Sequence, residues 1–431
     1  MRLGRIALLA VALWTTSSAA LSSGDRLVFL GDSITAGNAY TRDVEAVLRL
    51  RHPELELTFI NAGISGHTAI DGVKRLEHDV LRYRPTWVFL NFGMNDAGYE
   101  PGAIAAAHER HMSSLLDRIA SAHARTIWLE PTPFDVRGLP AGAPGRKRAQ
   151  NILRYVAFSQ RTGKERGVPV VPLHGLLTEA MSMDGRRDKP GPLIPDRVHP
   201  SSPAHAVMAA AILEAMGEPL EASRVDAAWL GDAVLIVGAP NHLRAAWDGK
   251  LPLHLDLTGV RAPVPILTDE SRVNGLMAAK AAMLGRLEFR LTGLPPGQRY
   301  KLRVGTAPVR TVTGEELSRG VDLMAGPKAP RPQGPADAAC GKTSGHPFWN
   351  DFFCVRDLVA AKDRLFETMR SDKAKKGPRS SLPSETVADF LASWNDGYAR
   401  QLAAEVNHTR AAPHRLSLEP VEEAGRKRKT R

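Results

Sequence analysis

Four short stretches hold residues that could together run acyl transfer. Gly31-Asp32-Ser33 closes the apolar run that starts at Arg26, and Asn61-Ala62-Gly63 and Gly93-Met94-Asn95-Asp96 close two further runs. Asp196-Arg197-Val198-His199 lies far downstream, between Pro195 and Pro200. Attack on an acyl carbonyl needs a nucleophile, a base to take its proton, and donors aimed at the oxyanion that develops. Ser33 places a hydroxyl at a strand end and a helix start, where the helix dipole favours growing negative charge. Asp196 and His199, three apart in a turn that prolines keep from becoming helix, can set the carboxylate against Nδ1. That leaves Nε2 for the serine. The N–H groups of Ser33 and Gly63 and the side-chain amide of Asn95 would form the oxyanion hole. Singly, each stretch is ordinary, because Ser and Asp close many strands as caps and turns.

These residues can converge only if the strands that carry them lie side by side and parallel. The segment Arg42–Leu50 has a helical apolar stripe, and Leu55–Ile60 reads as a second strand. A helix to about Tyr83 stops before Pro85, and Thr86–Asn91 is a third strand. The alanine-rich stretch 103–122 is helical and Thr126–Leu129 a fourth strand. Asn151–Arg166 is a helix, 168–171 a last strand, and Ser202–Met216 a closing helix. This alternation predicts a mostly parallel sheet covered on both faces, the α/β class. The strand C-terminal ends then form the rim where such sheets bind ligands.

The four stretches, in this order over residues 25–217, resemble the blocks of the SGNH hydrolases, the GDSL-type lipase/esterase superfamily. The resemblance implies a flavodoxin-like three-layer α/β/α domain. It also implies Ser33 as nucleophile, His199 as base, Asp196 as its orienting partner, and Ser33, Gly63 and Asn95 as oxyanion donors. Substrate does not follow, because one fold hosts many specificities. Asn38, Tyr40, His67, Tyr99 and Phe134 are candidates to line the substrate pocket, with loop packing or exposure as the alternative reading. No cofactor and no metal are expected. A Gly-x-Ser-x-Gly elbow is absent, Gly31–Gly37 lacks a phosphate-loop lysine, and His108-Glu109-Arg110-His111 lacks zincin spacing. His108 and His111 read instead as an exposed helix face, and His205 as a packing or capping residue.

The 431 residues accommodate more than one domain. Residues 1–20 read as a signal peptide: Arg2 and Arg5, an apolar run from Ile6 to Trp14, then small residues to Ala20. An uncleaved anchor is the lesser alternative. The expectation is therefore a secreted or periplasmic protein with no transmembrane anchor after cleavage. Residues 21–220 form the catalytic domain. Residues 221–325 form a small β-rich domain, in which 287–291 and 300–304 are expected to pair as a hairpin across Leu294–Gly297. Residues 326–431 hold a proline-rich connector, helices near Asp351–Met369 and Glu385–Val406, and a basic tail. Cys340 and Cys354, the two cysteines of an exported chain, are expected to form a disulfide. The net charge of +11 is concentrated in part in Arg426–Arg431, a solvated tail or a polyanion-binding patch. No nucleic-acid partner is expected, and the pattern leaves oligomeric state open.

The sequence thus reads as an exported esterase for short acyl esters, with acetylated carbohydrate as first choice of substrate. Short-chain lipid or aryl esters are the alternative within the class. A non-catalytic carbohydrate-binding protein on the same scaffold is the alternative outside it, with Trp229 and Trp247 as sugar-stacking or core residues.

Overall fold

The computed structural model describes residues 21–98, 103–186, 188–189, 191–231, 233–238, 253–257, 264–266, 275–325, 351, 354–364, 397, 400–401, 404 and 414–421. The proposed signal peptide, Tyr99, Trp247, Cys340, the proline-rich connector, nearly all of the 385–406 helix and the basic tail lie outside these residues.

Strand β1 (Arg26–Gly31) leads into a one-turn helix α1 (Ser33–Ala36) and α2 (Ala39–Arg51), followed by β2 (Thr58–Gly63) and α3 (Ala69–Asp79). Next come β3 (Trp87–Asn91), α4 (Ala103–Ser121), β4 (Arg125–Leu129), α5 (Pro144–Arg166), β5 (Val170–Val171), α6 (Leu173–Ser182) and α7 (Ser202–Ala215). The five strands form one parallel sheet in the order β2-β1-β3-β4-β5. This is the flavodoxin-like order, with β1 at the switch point.

Period-two alternation builds the three layers. On β1, Leu27 and Phe29 join the cluster that contains Val44, Val47 and Leu48 of α2 and Val207 and Leu213 of α7. Val28 and Leu30 face the other way, toward Leu76 of α3 and Met112, Leu115 and Ile119 of α4. Phe29 stacks on Phe89 of the neighbouring strand, ring centroids 4.4 Å apart, and each fully buried ring contributes about 2–3 kcal/mol. The register sets Gly31 opposite Gly63 on one side and Asn91 on the other. The three loops that follow therefore leave the sheet from one rim.

Beyond α7, β6 (Ser223–Trp229), β7 (Val234–Gly238), β8 (Leu253–Leu257), α8 (Leu276–Leu284) and β9 (Leu287–Thr292) begin a second region. It continues through β10 (Arg299–Val304), β11 (Ala307–Thr313), α9 (Gly314–Arg319), β12 (Val321–Asp322) and β13 (His414–Pro420). Among the described residues these strands make two four-stranded sheets, β12-β9-β6-β7 and β11-β10-β13-β8. The expected 287–291/300–304 hairpin does not form. β9 pairs with β6 and β12, whereas β10 pairs with β11 and β13. Both strands alternate apolar with charged residues as expected. Alternation shows that a strand has one wet face but does not name its partner, and Leu294–Gly297 carries the chain between sheets. Trp229 packs against the apolar core, which favours the core reading of that residue.

α8 packs on α7, and one apolar cluster runs from Leu213 and Leu220 into Leu284 and Leu287. The helical residues 354–364 also join this cluster, through Val355 and Val359. Cys354 is buried, but its expected partner lies outside the described residues. Among the described residues no helix is long and apolar enough to cross a membrane.

Candidate functional site

Asp32 follows β1 and caps α1, its Oδ1 accepting from Ile34 N–H at 2.9 Å. Ser33 is thereby fixed as the first residue of α1, where the opening amides of a helix have no intrahelical partner. Two glycines let α1 sit this close to the sheet. A Cβ on Gly31 would stand 2.1 Å from Thr35 Oγ1, and one on Gly63 would stand 2.3 Å from the Ala36 nitrogen. The missing side chain at Gly63 thus admits the backbone of α1.

The distant turn arrives from above. His199 Nε2 is 3.0 Å from Ser33 Oγ, and His199 Nδ1 is 2.6 Å from Asp196 Oδ2. Asp196 Oδ1 also accepts from the N–H groups of Val198 and His199, at 3.0 and 2.7 Å. Burial opposes charge on Asp196, but these hydrogen bonds outweigh it and hold the carboxyl below its usual range. The His199 and Asp196 side chains are 50% and 54% exposed, so substrate can reach the pair.

Arg197 gives the turn its tightness, with φ of 74° in the left-handed region that most side chains avoid. Its guanidinium donates to the carbonyls of Asp135 and Arg137 at 2.9 and 2.7 Å, and its own carbonyl accepts from Asp135 N–H at 3.0 Å. The 135–137 loop is braced in turn by an Asp135–Arg137 ion pair at 2.7 Å and by Arg137 to Asp184 at 2.7 Å. Apart from the local Asp135–Arg137 pair, these braces carried no signal in the sequence, because they join loops about 45–60 residues apart.

The other two expected oxyanion donors already have partners. Gly63 N–H donates to Asn61 Oδ1 at 2.8 Å, and Asn95 Nδ2 donates to the His67 carbonyl at 3.0 Å. The Asn95 amide keeps a second N–H for another acceptor. The single N–H of Gly63 would have to be shared or released.

The candidate pocket residues separate. Tyr40 is fully buried, its hydroxyl 2.9 Å from Thr35 Oγ1 and its ring edge-on to Phe29, so it cannot line a pocket. α2 turns its ring into the core, the packing alternative to the pocket. Asn38 is partly buried at φ 61° and bonded within the protein. His67 lends its carbonyl to Asn95. Phe134, with Pro133, Val136, Leu153 and Met181, borders a cavity of about 520 Å³ beside the loop that braces Arg197. Tyr99 is outside the described residues.

Behind the rim sit titratable groups that the solvent does not reach. Burial pushes Asp32 up to about 7, despite the Ile34 amide. Burial, then Arg42, His199 and Arg356, push His205 down to about 3, and its ring stacks on Tyr40, as a packing residue would. His108 departs from expectation: it is 2% exposed, not on an open helix face. Its Nδ1 lies 2.9 Å from Asp96 Oδ1 and its ring stacks on Tyr155. Among the described residues no group of three or more His, Cys, Asp or Glu side chains could hold a metal ion.

Residues 29–207 match the model of the GDSL-like Lipase/Acylhydrolase family. An acetylxylan esterase of Geobacillus stearothermophilus is 29% identical over 219 residues, 46% of this chain and 96% of that protein. A thioesterase 1/protease 1/lysophospholipase L1 of Escherichia coli (strain K12) is 28% identical over 191 residues, 44% of this chain and 81% of that protein. A solved structure described as a gut microbial diltiazem-metabolizing enzyme superposes with a TM-score of 0.67 at 19% identity. It covers 93% of this chain and 99% of its own, so the shared fold extends well past the parallel sheet.

Proposed function

We propose, for a chain that belongs to the SGNH hydrolase superfamily of GDSL-like lipases and acylhydrolases and is a carboxylic ester hydrolase, a serine acyl-enzyme mechanism run by Ser33, His199 and Asp196. One observation carries it: a nucleophile, a base and an orienting carboxylate in series, at 3.0 and 2.6 Å, open to solvent. Ser33 Oγ attacks the ester carbonyl as its proton passes to His199 Nε2. Ser33 N–H and the second N–H of Asn95 take the oxyanion, joined by Gly63 N–H, which Asn61 Oδ1 holds in place and shares. The tetrahedral species collapses, His199 returns the proton to the leaving alcohol, and water repeats the sequence to free the acid. Asp196 keeps Nδ1 protonated and steadies the imidazolium.

We favour acetyl esters of carbohydrate as the substrate, a reading supported by the relative named as an acetylxylan esterase. Short-chain lipid esters are the second reading, supported by the relative named as a lysophospholipase. The pattern of residues 1–20 supports export, with the hydrolase unit at 21–220, a β-rich unit at 221–325 and a helical extension after it.

Purified full-length chain should release p-nitrophenol from its acetate ester and take up a fluorophosphonate on Ser33, read by peptide mass. Ser33→Ala should lose both, with activity down by about 10⁴-fold or more. Labelling elsewhere with activity intact in Ser33→Ala would end the assignment. Acetylated xylo-oligosaccharides against lysophospholipid, compared by kcat/KM, separate the two substrate readings.

A further inference from the structure

The helical residues 354–364 lie far outside the family-matched segment, yet they bond to the loop beside the nucleophile. Lys362 and Glu45 of α2 are both nearly inaccessible to solvent and pair at 2.5 Å, and Arg356 Nε is 3.3 Å from the buried Asp43. Removing one partner of such a buried pair strands the other charge away from water, so the pairs specify where this segment docks. From that docked position Asp363 Oδ2 accepts from Asn38 Nδ2 at 2.6 Å. Asn38 Oδ1 accepts from Asn61 Nδ2 at 2.8 Å, and Asn61 Oδ1 accepts from Gly63 N–H at 2.8 Å. Asn61 Nδ2 also donates to the Thr35 carbonyl at 2.8 Å, tying the chain to the helix that carries Ser33.

We propose that Asp363 is a positioning residue that orients the Gly63 amide through the chain Asp363–Asn38–Asn61–Gly63, making the C-terminal extension part of the esterase site. The physical reason is polarity. Burial pushes the Asp363 carboxyl up, but Lys362 Nζ stands 3.2 Å from its Oδ1 and favours the carboxylate, which only accepts, so Asn38 offers Nδ2 to Oδ2 and turns Oδ1 toward Asn61. Asn61 must then offer Nδ2 and keep Oδ1 for Gly63 N–H. Two acceptors, the Asp363 carboxylate on Asn38 and the Thr35 carbonyl on Asn61, together set the orientation of both amides and of the peptide N–H, with Thr41 Oγ1 donating to Asn38 Oδ1 as well. Asn38 takes its left-handed backbone at the start of α2, with Arg42 Nε donating to its carbonyl at 2.6 Å. That geometry holds its side chain between the two regions. The proposal rests on Gly63 being an oxyanion donor.

The test uses the full chain with glycine amides ¹⁵N-labelled, reading p-nitrophenyl acetate hydrolysis, hydrogen exchange at Gly63 and the thermal midpoint. Asp363→Ala should lower kcat by about tenfold to hundredfold with KM little changed, and speed Gly63 exchange about tenfold or more. Asp363→Asn keeps a carbonyl acceptor and should restore both. Arg356→Met removes one docking pair without touching the chain and should change both by less than Asp363→Ala does. Unchanged Gly63 exchange in Asp363→Ala, or an Arg356→Met loss as large as that of Asp363→Ala, would overturn the proposal. Faster Gly63 exchange at undiminished kcat would instead remove Gly63 from the oxyanion donors, and the proposal would fall with that reading.

Discussion

Two His–Asp pairs sit on this sheet rim at nearly the same separation. His199 and Asp196 are 2.6 Å apart and half exposed, while His108 and Asp96 are 2.9 Å apart and 2% and 6% exposed. Only the first has a hydroxyl in line, Ser33 Oγ at 3.0 Å. The second has Tyr155 stacked on its ring and the Ala69 amide on its carboxylate, partners that lock a loop and offer nothing to a substrate. The distance between an acid and an imidazole is the same kind of number in both pairs. Solvent access, and a hydroxyl on the free nitrogen, are what the proposed base has and the buried pair lacks. The same division holds for Asp32 and His205, which lie behind Ser33 and His199 and are buried.

The comparison breaks most visibly through the carboxylates. Asp196→Asn should reduce kcat by about 10²–10⁴-fold with the thermal midpoint unmoved, because the half-exposed site tolerates an amide but loses the imidazole's orientation. A stopped-flow assay showing near-normal acylation in this variant would dissolve the distinction between the pairs.

A smaller effect sharpens the buried side through pH. Asp32 has its folded pKa raised to about 7 by burial, above its ordinary 3.8. The unfolded chain therefore ionises first. Stability from this group is complete below about pH 4 and is lost as pH rises toward 7, by up to about 4 kcal/mol. Asp32→Asn should remove that decline, seen as a flatter urea-denaturation stability between pH 4 and 7 than in the wild type. His205 has the opposite sign. Its folded pKa is lowered to about 3, so its contribution is complete above about 6.5 and is lost as pH falls toward 3.

The smallest effect concerns the closed pair. His108→Gln should lower stability by about 1–3 kcal/mol, measured by denaturant titration, with kcat per folded molecule within about threefold of wild type. A collapse in kcat without a loss of stability would give His108 a part in the chemistry and erase the contrast.

How much of this was legible differs between elements for physical reasons. The parallel sheet could be read because each strand is a short apolar run followed by a turn and an amphipathic helix, all local signals. Boundaries moved where register decided them: the second strand runs Thr58–Gly63, later than the apolar run beginning at Leu55 suggests. In the C-terminal half, the strand candidates were largely correct but the expected hairpin was not, because the partners of these strands, parallel β6 for β9 and antiparallel β13 for β10, are supplied by distant residues. β13 had no turn signal of its own and inserts between β10 and β8 from more than a hundred residues away. Tyr40 and His108 were misjudged for one reason. A helix shows which residues share a face, but the neighbour that buries the face lies elsewhere in the chain.

The residue types at four turns were enough to specify a reaction class, since few combinations of hydroxyl, imidazole, carboxylate and amide can do this chemistry, and local pattern was enough to find the strands that carry them. Only the folded chain decided that the His108 imidazole is sealed away, that Asn61 takes the Gly63 amide, and that Asp363 meets Asn38. Those outcomes depend on contacts among residues tens to hundreds of positions apart, and such contacts exist only once burial of the shared core has fixed every element at once.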